Sequence, residues 1–280
     1  MSFSESASEN VFRHPHANVL GISVSAINMD RAIELAESWI ASEKSTYICM
    51  TGVHGVMEAQ SNVHLRSVLN GAFINAADGM PMSWVGWLQG HRQMDRVYGP
   101  DFMANLCRLS VGKGYRHYLY GGQPGVAPAL KDALEKRFPG VQIVGTFTPP
   151  FRSLTRREEA DLLKDVQNAQ PDILWVGLST PKQECFMADY VDRLGVPLLI
   201  GVGAAFDFHT GRIEDAPAWI KRMGLQWLHR LLQDPGRLWK RYLLNNPKFI
   251  WRITLQFLNL WNHECQCGVQ PKPRSSTTNS

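Results

Sequence analysis

The sequence predicts an α/β fold: a mostly parallel open sheet with helices on both faces, Rossmann-like, followed by a basic helical C-terminal appendage. Three observations lead there. Short β-branched runs alternate with stretches of helical apolar spacing from Asn18 to Gly203. The later strand runs, DILWVGL (Asp172–Leu178) and PLLIGVG (Pro197–Gly203), are apolar along their whole length, as strands covered on both faces are. After Gly203 the alternation stops and basic, Trp-rich helical sequence follows.

Element by element, residues 1–16 read as a disordered tail. NVLGISVSAI (Asn18–Ile27) alternates and reads as a strand. Met29–Ser42 has the helical period, with Asp30 near its start. Ser45–Gly52 is a strand, and the run from His54 to Gly71 one or two short helices. Ala72–Ala76 is a short buried strand. The polar turn Ala77–Pro81 follows it, then a helix through Trp84 and Leu88 and a loop to Pro100. Asp101–Val111 is a helix. Arg116–Gly122 is a strand ending in two glycines, with Pro124 in the first turn of the next helix. Val141–Phe147 is a strand, and Leu154–Ala169 a helix opened by a Thr155/Glu158 capping box. The helix after strand Asp172–Leu178 is stopped by Gly195, and Pro197–Gly203 is the last core strand. The chain therefore divides into a core over 17–210, an appendage over 211–262 and a disordered tail over 263–280.

With 280 residues, 44% hydrophobic and 19% charged, the composition excludes disorder over most of the length, a collagenous repeat and a coiled-coil rod. The polar N-terminus carries no signal-peptide core. The longest near-apolar stretch, Val196–Phe206, is well short of the ~18 residues of a spanning helix, so a cytoplasmic protein is expected. Five scattered cysteines read as reduced thiols. His263-x-Cys265-x-Cys267 lacks a second ligand pair at zinc spacing, so no metal site is expected there. Charge is unevenly placed. Between Ala216 and Asn262 eight Lys or Arg meet one acid, Asp234, so this segment carries +7 and the rest −3. The same segment holds five of the nine Trp. Such interleaving suits a helix on an anionic membrane surface, a packed amphipathic face, or a nucleic acid. No nucleic-acid motif is present, so a nucleic-acid partner is not expected.

In open parallel sheets ligands bind off the carboxyl ends of the strands. The turns there are Thr51-Gly52-Val53-His54, Ala77–Pro81, Gly121-Gly122-Gln123-Pro124, Ser179–Glu184 and Gly201–Asp207. All are small, Gly-rich or polar, as a phosphate-bearing nucleotide or sugar nucleotide requires. Gly201-x-Gly203-x-x-Phe206 lacks the third glycine of a dinucleotide fingerprint. A phosphate-loop motif, a Gly-x-Ser-x-Gly elbow and an Asp-x-Asp metal clamp are all missing. Asp78 has two open roles, general base or turn cap. His54 can be a base, a substrate donor or a structural histidine. Arg96 can hold a phosphate or decorate a loop, and Gln183 and Glu184 can cap their helix.

Taken in order, five motifs resemble the WecG/TagA/CpsF glycosyltransferases, glycosyltransferase family 26. They are Asn75-Ala-Ala-Asp78-Gly-Met-Pro81, Arg96-Val-Tyr-Gly-Pro-Asp101, Tyr118-Leu-Tyr-Gly121-Gly122, Trp175-Val-Gly-Leu-Ser-Thr-Pro-Lys-Gln183-Glu184 and Gly201-Val-Gly-Ala-Ala-Phe-Asp207. The likeness continues through Arg212, Ala216–Trp219, Gly224–Trp227 and Leu228–Tyr242, covering about residues 18–255.

The resemblance implies an inverting enzyme that moves a sugar from a uridine-diphosphate donor to a polyprenyl-diphosphate-linked saccharide. Its place would be the cytoplasmic membrane face, in cell-surface polysaccharide or exopolysaccharide assembly. It implies Asp78 as base and Arg96 as the second catalytic residue, and the missing Asp-x-Asp adds the expectation of no cofactor or metal. It places substrate contacts at Thr51, His54, Asn75, Gly121, Gly122, Gln183, Glu184 and Asp207. Arg230, Arg237 and Arg241 of an appendage that closes over the site complete the set, and no one of the three is singled out. Many members carry Thr-x-Asn after the second strand; here the Asn position falls on Gly52, which leaves polar work there to Thr51 and His54. A homo-oligomer is compatible with this pattern. The rival readings are a nucleotide-dependent oxidoreductase and a non-catalytic membrane scaffold.

Overall fold

A computed structural model describes residues 12–42 and 44–261. The first eleven residues and the segment from 262 onward, including the His263-x-Cys265-x-Cys267 run and both expected tails' ends, lie outside the described residues.

Six strands form one parallel sheet: β3 (Thr46–Thr51), β4 (Ile74–Ala77), β5 (Arg116–Gly121), β6 (Gln142–Phe147), β7 (Ile173–Gly177) and β8 (Leu198–Gly201). Their order across the sheet is β4-β3-β8-β7-β5-β6, and every pairing is parallel. Consecutive strands are joined through helices. These are α2 (Val53–Ala59) and α3 (Val63–Gly71), then α4 (Met80–Leu88) and α5 (Gly99–Lys113), then α6 (Val126–Arg137), α7 (Arg156–Ala169) and α8 (Lys182–Leu194). Together with α1 (Met29–Ile40) before β3, they cover both sheet faces.

The apolar strand runs follow from this double coverage. In β7, Leu174 and Val176 enter one core with α2, α3, α7 and α8, while Ile173 and Trp175 enter the other with α1, α5 and α6. Tyr118 and Tyr120 of β5 point to the first face and Leu119 to the second. A strand alternates its side chains, so burial on both faces demands apolar residues at every position.

Local signals set the helix ends. Thr155 and Glu158 make the expected reciprocal capping box, and Gly195 closes α8 in the left-handed conformation. The cap of α1 is Asn28, whose side chain accepts from the Arg31 N–H; Asp30 lies in the first turn. Pro124 does not open α6. It sits in the preceding turn, where the Val126 N–H donates to the Gln123 carbonyl, and Gly125 at φ +83° starts the helix.

The single strand expected over Asn18–Ile27 is instead an antiparallel hairpin, β1 (His16–Val19) and β2 (Ile22–Ser25). Leu20 and Gly21 turn it with positive φ, and the Asn18 side chain accepts from the Gly21 N–H. A Leu-Gly pair is a weak type I′ signal beside Asn-Gly, which hides the turn inside an alternating run. Asn70 of α3 fastens the hairpin through Ser23 and Gly21, and Asn75 of β4 through Ser23 and Ser25. Residues 12–16, expected in a tail, are packed: Phe12 meets Trp39 and Phe73 edge-on, and His14 bonds the Ser25 hydroxyl.

Among the described residues four helices follow β8: α9 (Ala205–His209), α10 (Ala218–Arg222), α11 (Gln226–Gln233) and α12 (Pro235–Phe257). The long α12 does not stand apart from the core. Phe249 is buried with the hairpin face, and the Gln256 side chain bonds the Leu20 N–H and the Asn18 carbonyl. The appendage thus leaves the last strand, crosses the carboxyl ends of the sheet and is anchored again on the hairpin. No helix among the described residues is long and apolar enough to cross a membrane.

The strand ends below that bridge are tightly packed. Gly121 has φ +125°, and a Cβ there would lie 2.6 Å from the Gly177 carbonyl oxygen. A Cβ on Gly177 would strike the Phe206 ring at 2.7 Å. Gly121→Ala is expected to destabilise the fold by roughly 2–4 kcal/mol through backbone strain plus overpacking. Denaturant unfolding measures this; unchanged stability would mean that the β5 end is looser than described here.

Candidate active site

A cleft of about 1560 Å³ opens at the carboxyl ends of β3, β4, β5, β7 and β8 and is roofed by α10, α11 and α12. Asp78 follows β4 directly. Its N–H donates to the Thr51 carbonyl across the β3–β4 ladder, and its carboxylate accepts from the Gly99 N–H at 3.2 Å, where α5 begins. Asp78 therefore does not cap α4; it is held between two strand ends and a helix start. Burial raises its carboxyl above the ordinary value of 3.8, while Arg96, the Gly99 N–H, Arg230 and Arg241 pull it back down. A carboxylate in that balance is a stronger base than one in water.

Arg96 binds backward and upward at once. Its Nε donates to the Asp78 main-chain carbonyl at 2.8 Å, and another guanidinium N–H donates to the Gln226 side-chain oxygen on α11. Its guanidinium lies 4.0 Å above the Tyr98 ring. The Gln226 amide donates to the Tyr98 hydroxyl at 2.6 Å, and that hydroxyl donates to Asp215 at 3.1 Å. Asp215 also holds Lys221 at 2.6 Å. Burial first, then the Asp215 charge, pushes the Tyr98 phenol up, so it stays a neutral donor. This chain of bonds fixes the appendage over Asp78.

The three appendage arginines separate. Arg241 is largely enclosed; its Nε is buried without a protein partner, and desolvation lowers its pKa from 12.5. Arg230 lines the cleft with its guanidinium over the Phe208 ring, 5.4 Å from the ring centre. Arg237 touches the rim and is paired with Asp234 at 2.7 Å on its own helix. Arg230 and Arg241 are the pair whose charge reaches Asp78.

The floor carries further buried polar atoms without protein partners: Thr51 Oγ1, Gln183 Oε1 and Glu184 Oε2. Thr180 and Gln183 both donate to the other Glu184 oxygen, at 2.8 and 3.0 Å. Burial raises the Glu184 carboxyl above its ordinary value. His54 lines the cleft and accepts from the Asn245 amide of α12 at Nδ1, 3.3 Å away; burial and Arg241 push its pKa down to about 4, so it is neutral at pH 7.

Of the residues expected from sequence, Thr51, His54, Asp78, Arg96, Gly122, Gln183, Glu184, Asp207, Arg230, Arg237 and Arg241 all face this cleft. Asn75 and Gly121 do not line it: Asn75 staples the hairpin, and Gly121 makes the close approach to Gly177. Tyr98, Asp215, Lys221 and Gln226 form the latch without having been assigned a role from sequence. The available signal was Gln226 itself, a neutral amide between Leu225 and Trp227 at the start of a basic helix. Among the described residues no group of three or more His, Cys, Asp or Glu is placed to hold a metal ion.

A doubly covered parallel sheet with a carboxylate at a strand end and arginines over the cleft is a Rossmann-like α/β arrangement suited to an anionic ligand. The chain belongs to the glycosyl transferase WecG/TagA/CpsF family, whose family model matches residues 17–263. It is similar to the N-acetylglucosaminyldiphosphoundecaprenol N-acetyl-beta-D-mannosaminyltransferase of Bacillus spizizenii (strain ATCC 23059 / NRRL B-14472 / W23), with 28% identity over 77% of this chain and 81% of the relative. The protein of the same name from Bacillus subtilis (strain 168) is 29% identical over 75% of this chain and 77% of its own length.

Asp78→Asn should keep the fold and slow glycosyl transfer about 100-fold or more, the usual scale for losing a general base. If Asp78 is the base, activity falls as pH drops through its carboxyl pKa, which burial raises above the ordinary value of 3.8. Arg96 is the largest influence lowering that pKa, so Arg96→Gln should move the acid limb of kcat/KM to higher pH. A fixed acid limb, or near-normal turnover by Asp78→Asn, would remove Asp78 from the role.

Proposed function

We propose that this enzyme transfers a sugar from a uridine-diphosphate donor to a polyprenyl-diphosphate-linked saccharide, with inversion at the anomeric carbon, in cell-surface polysaccharide assembly. The observation that carries this reading is Asp78 beneath Arg230 and Arg241 in one roofed cleft. The names of the two Bacillus relatives supply the acceptor class.

In the proposed step Asp78 accepts the proton of the acceptor hydroxyl while that oxygen attacks the anomeric carbon. The bond from that carbon to the diphosphate breaks, and uridine diphosphate leaves with the electron pair. Arg241, with an N–H lacking a protein partner, and Arg230 stabilise the charge that develops on the leaving group. Positive charge placed this way supports transfer without a metal cofactor. Gln183 and Glu184 offer unfilled acceptor atoms to sugar hydroxyls.

The same reading places the enzyme as a peripheral protein on the anionic inner face of the membrane. Much of the exposed large apolar surface among the described residues belongs to the appendage: Trp219, Leu232, Trp239, Leu243, Trp251 and Leu260. Lys and Arg interleave with them, and each adds about 1 kcal/mol near an anionic bilayer. Trp and Leu can enter at headgroup level, which charge alone does not explain.

The test offers radiolabelled uridine-diphosphate sugars and a lipid-diphosphate-linked N-acetylglucosamine to the purified protein on anionic vesicles, in EDTA. Labelled lipid product should form with at least one donor, and the protein should sediment with the vesicles less at high salt. Absence of transfer with every donor would refute the activity. A strict need for added Mg²⁺ or Mn²⁺ would refute the arginine-only account of the leaving group.

A further inference from the structure

α4 (Met80–Leu88) covers the sheet as the other core helices do, yet its outer face is of a different kind. Met82, Ser83, Val85 and Gly86 are buried, while Trp84, Trp87 and Leu88 are 41%, 42% and 72% exposed. Positions i, i+3 and i+4 share one face of a helix, so these three side chains form one outward row. A helix at a protein surface normally carries charge on that side. Among the described helices α4 alone has no charged residue. We propose that α4 is a second bilayer-contacting element, which enters the headgroup layer of an anionic membrane beside the appendage. The proposal rests on the reading of this enzyme as a peripheral membrane protein and adds a part of the core to its docking surface.

The row is continuous with the appendage at both ends. At the Trp84 end, a Cβ on Gly224 would meet the Trp84 ring at 2.7 Å, so that ring packs on the turn between α10 and α11. At the Leu88 end, one oxygen marks the junction. The Asn18 carbonyl accepts from the Gln89 amide at 2.7 Å and from the Gln256 amide of α12 at 2.8 Å. Gln89 follows Leu88, and Gln256 precedes Phe257. Trp84, Leu88, Met223, Ile250 and Phe257 all line the cleft and are all exposed, so they stand at its mouth. Core and appendage thus supply one apolar rim. Trp87 stands outside the cleft, and its indole N–H donates to the Met94 carbonyl at 2.6 Å, which holds the ring on the surface.

Charge selects the occupant. The appendage side of this rim belongs to the segment between Ala216 and Asn262, which carries +7. A second copy of the chain docked on the rim would set two such basic segments against each other, which is repulsive. An anionic bilayer meets the same surface with opposite charge and accepts Trp and Leu at headgroup level. The placement has a geometric consequence. Met80 opens α4 two residues after Asp78, and Leu88 is eight residues beyond Met80, about 12 Å at ~1.5 Å per residue. Seating the end of α4 in lipid therefore fixes Asp78 one short helix away from the membrane, with the cleft mouth turned toward it.

The test compares two charge-matched variants of the full chain by sedimentation with vesicles of phosphatidylglycerol and phosphatidylcholine at low salt. Leu88→Asp adds an acid to the row. Val63→Asp adds one to α3, at a residue that is also well exposed and does not line the cleft. Leu88→Asp should lower the partition coefficient about tenfold or more, the scale of removing one Leu from apolar surroundings, whereas Val63→Asp should change it by less than about twofold. Trp87→Ser should also weaken binding, and it serves as the second variant if Leu88→Asp fails to fold. Vesicle binding by the folded row variant equal to that of Val63→Asp would overturn the role of α4 and leave that of the appendage standing. A stable dimer formed without lipid, and dissociated by Leu88→Asp, would overturn it by assigning the row to a second copy. If the unsubstituted chain ignores the vesicles, the peripheral reading fails and this proposal with it, an outcome distinct from binding that survives Leu88→Asp.

Discussion

One guanidinium ties the catalytic strand end directly to the element that covers it. Arg96 rises from the loop before α5, donates to the main-chain carbonyl of Asp78 and donates again to Gln226 on the appendage. Asp78 is thereby tied to the element that covers it. The Tyr98–Asp215–Lys221 chain repeats the tie a few ångströms away, and Gly224 permits it: a Cβ there would meet the Trp84 ring at 2.7 Å. These bonds hold the near end of the appendage over the strand ends, as Phe249 and Gln256 hold its far end on the hairpin side.

Electrostatics in the cleft follow from that closure. Covering Asp78 strips it of water and raises its pKa, while the arginines that do the covering limit the rise. The opposition leaves a carboxyl group more basic than an ordinary one, set beside cationic side chains. His54 goes the other way. Desolvated and facing Arg241, it is neutral, and it contributes a contact to Asn245 in place of charge. The roof is also a surface in its own right, with Trp239, Leu243 and Trp251 turned outward on the helix whose inner side holds Arg241.

Much of this was legible in the chain. Apolar strands reveal a sheet buried on both faces, and Gly, Asp and Gln at strand ends reveal where a ligand must bind, because period and turn chemistry are local properties. The appendage stood out by its charge. What local pattern could not show was return contact. Gln256 bonding the hairpin and Gln226 bonding Arg96 join residues more than a hundred positions apart, and a lone Gln carries no mark of its partner. Asn75 was misplaced for a related reason. It shares a motif with Asp78, but on a strand neighbouring residues point to opposite faces, and three positions from Asp78 it turns to Ser23. The hairpin turn escaped because Leu20 takes a positive φ that its side chain does not advertise.

The most direct measurement is the single-turnover rate of sugar transfer by Arg241→Gln, with uridine-diphosphate binding followed in the same preparation. If Arg241 meets the diphosphate as charge builds on it, the chemical step should slow about 100-fold, on the scale of losing one such donor, while the folded protein keeps its unfolding midpoint. An unchanged single-turnover rate in the folded variant would contradict the claim that closure of the appendage completes the active site.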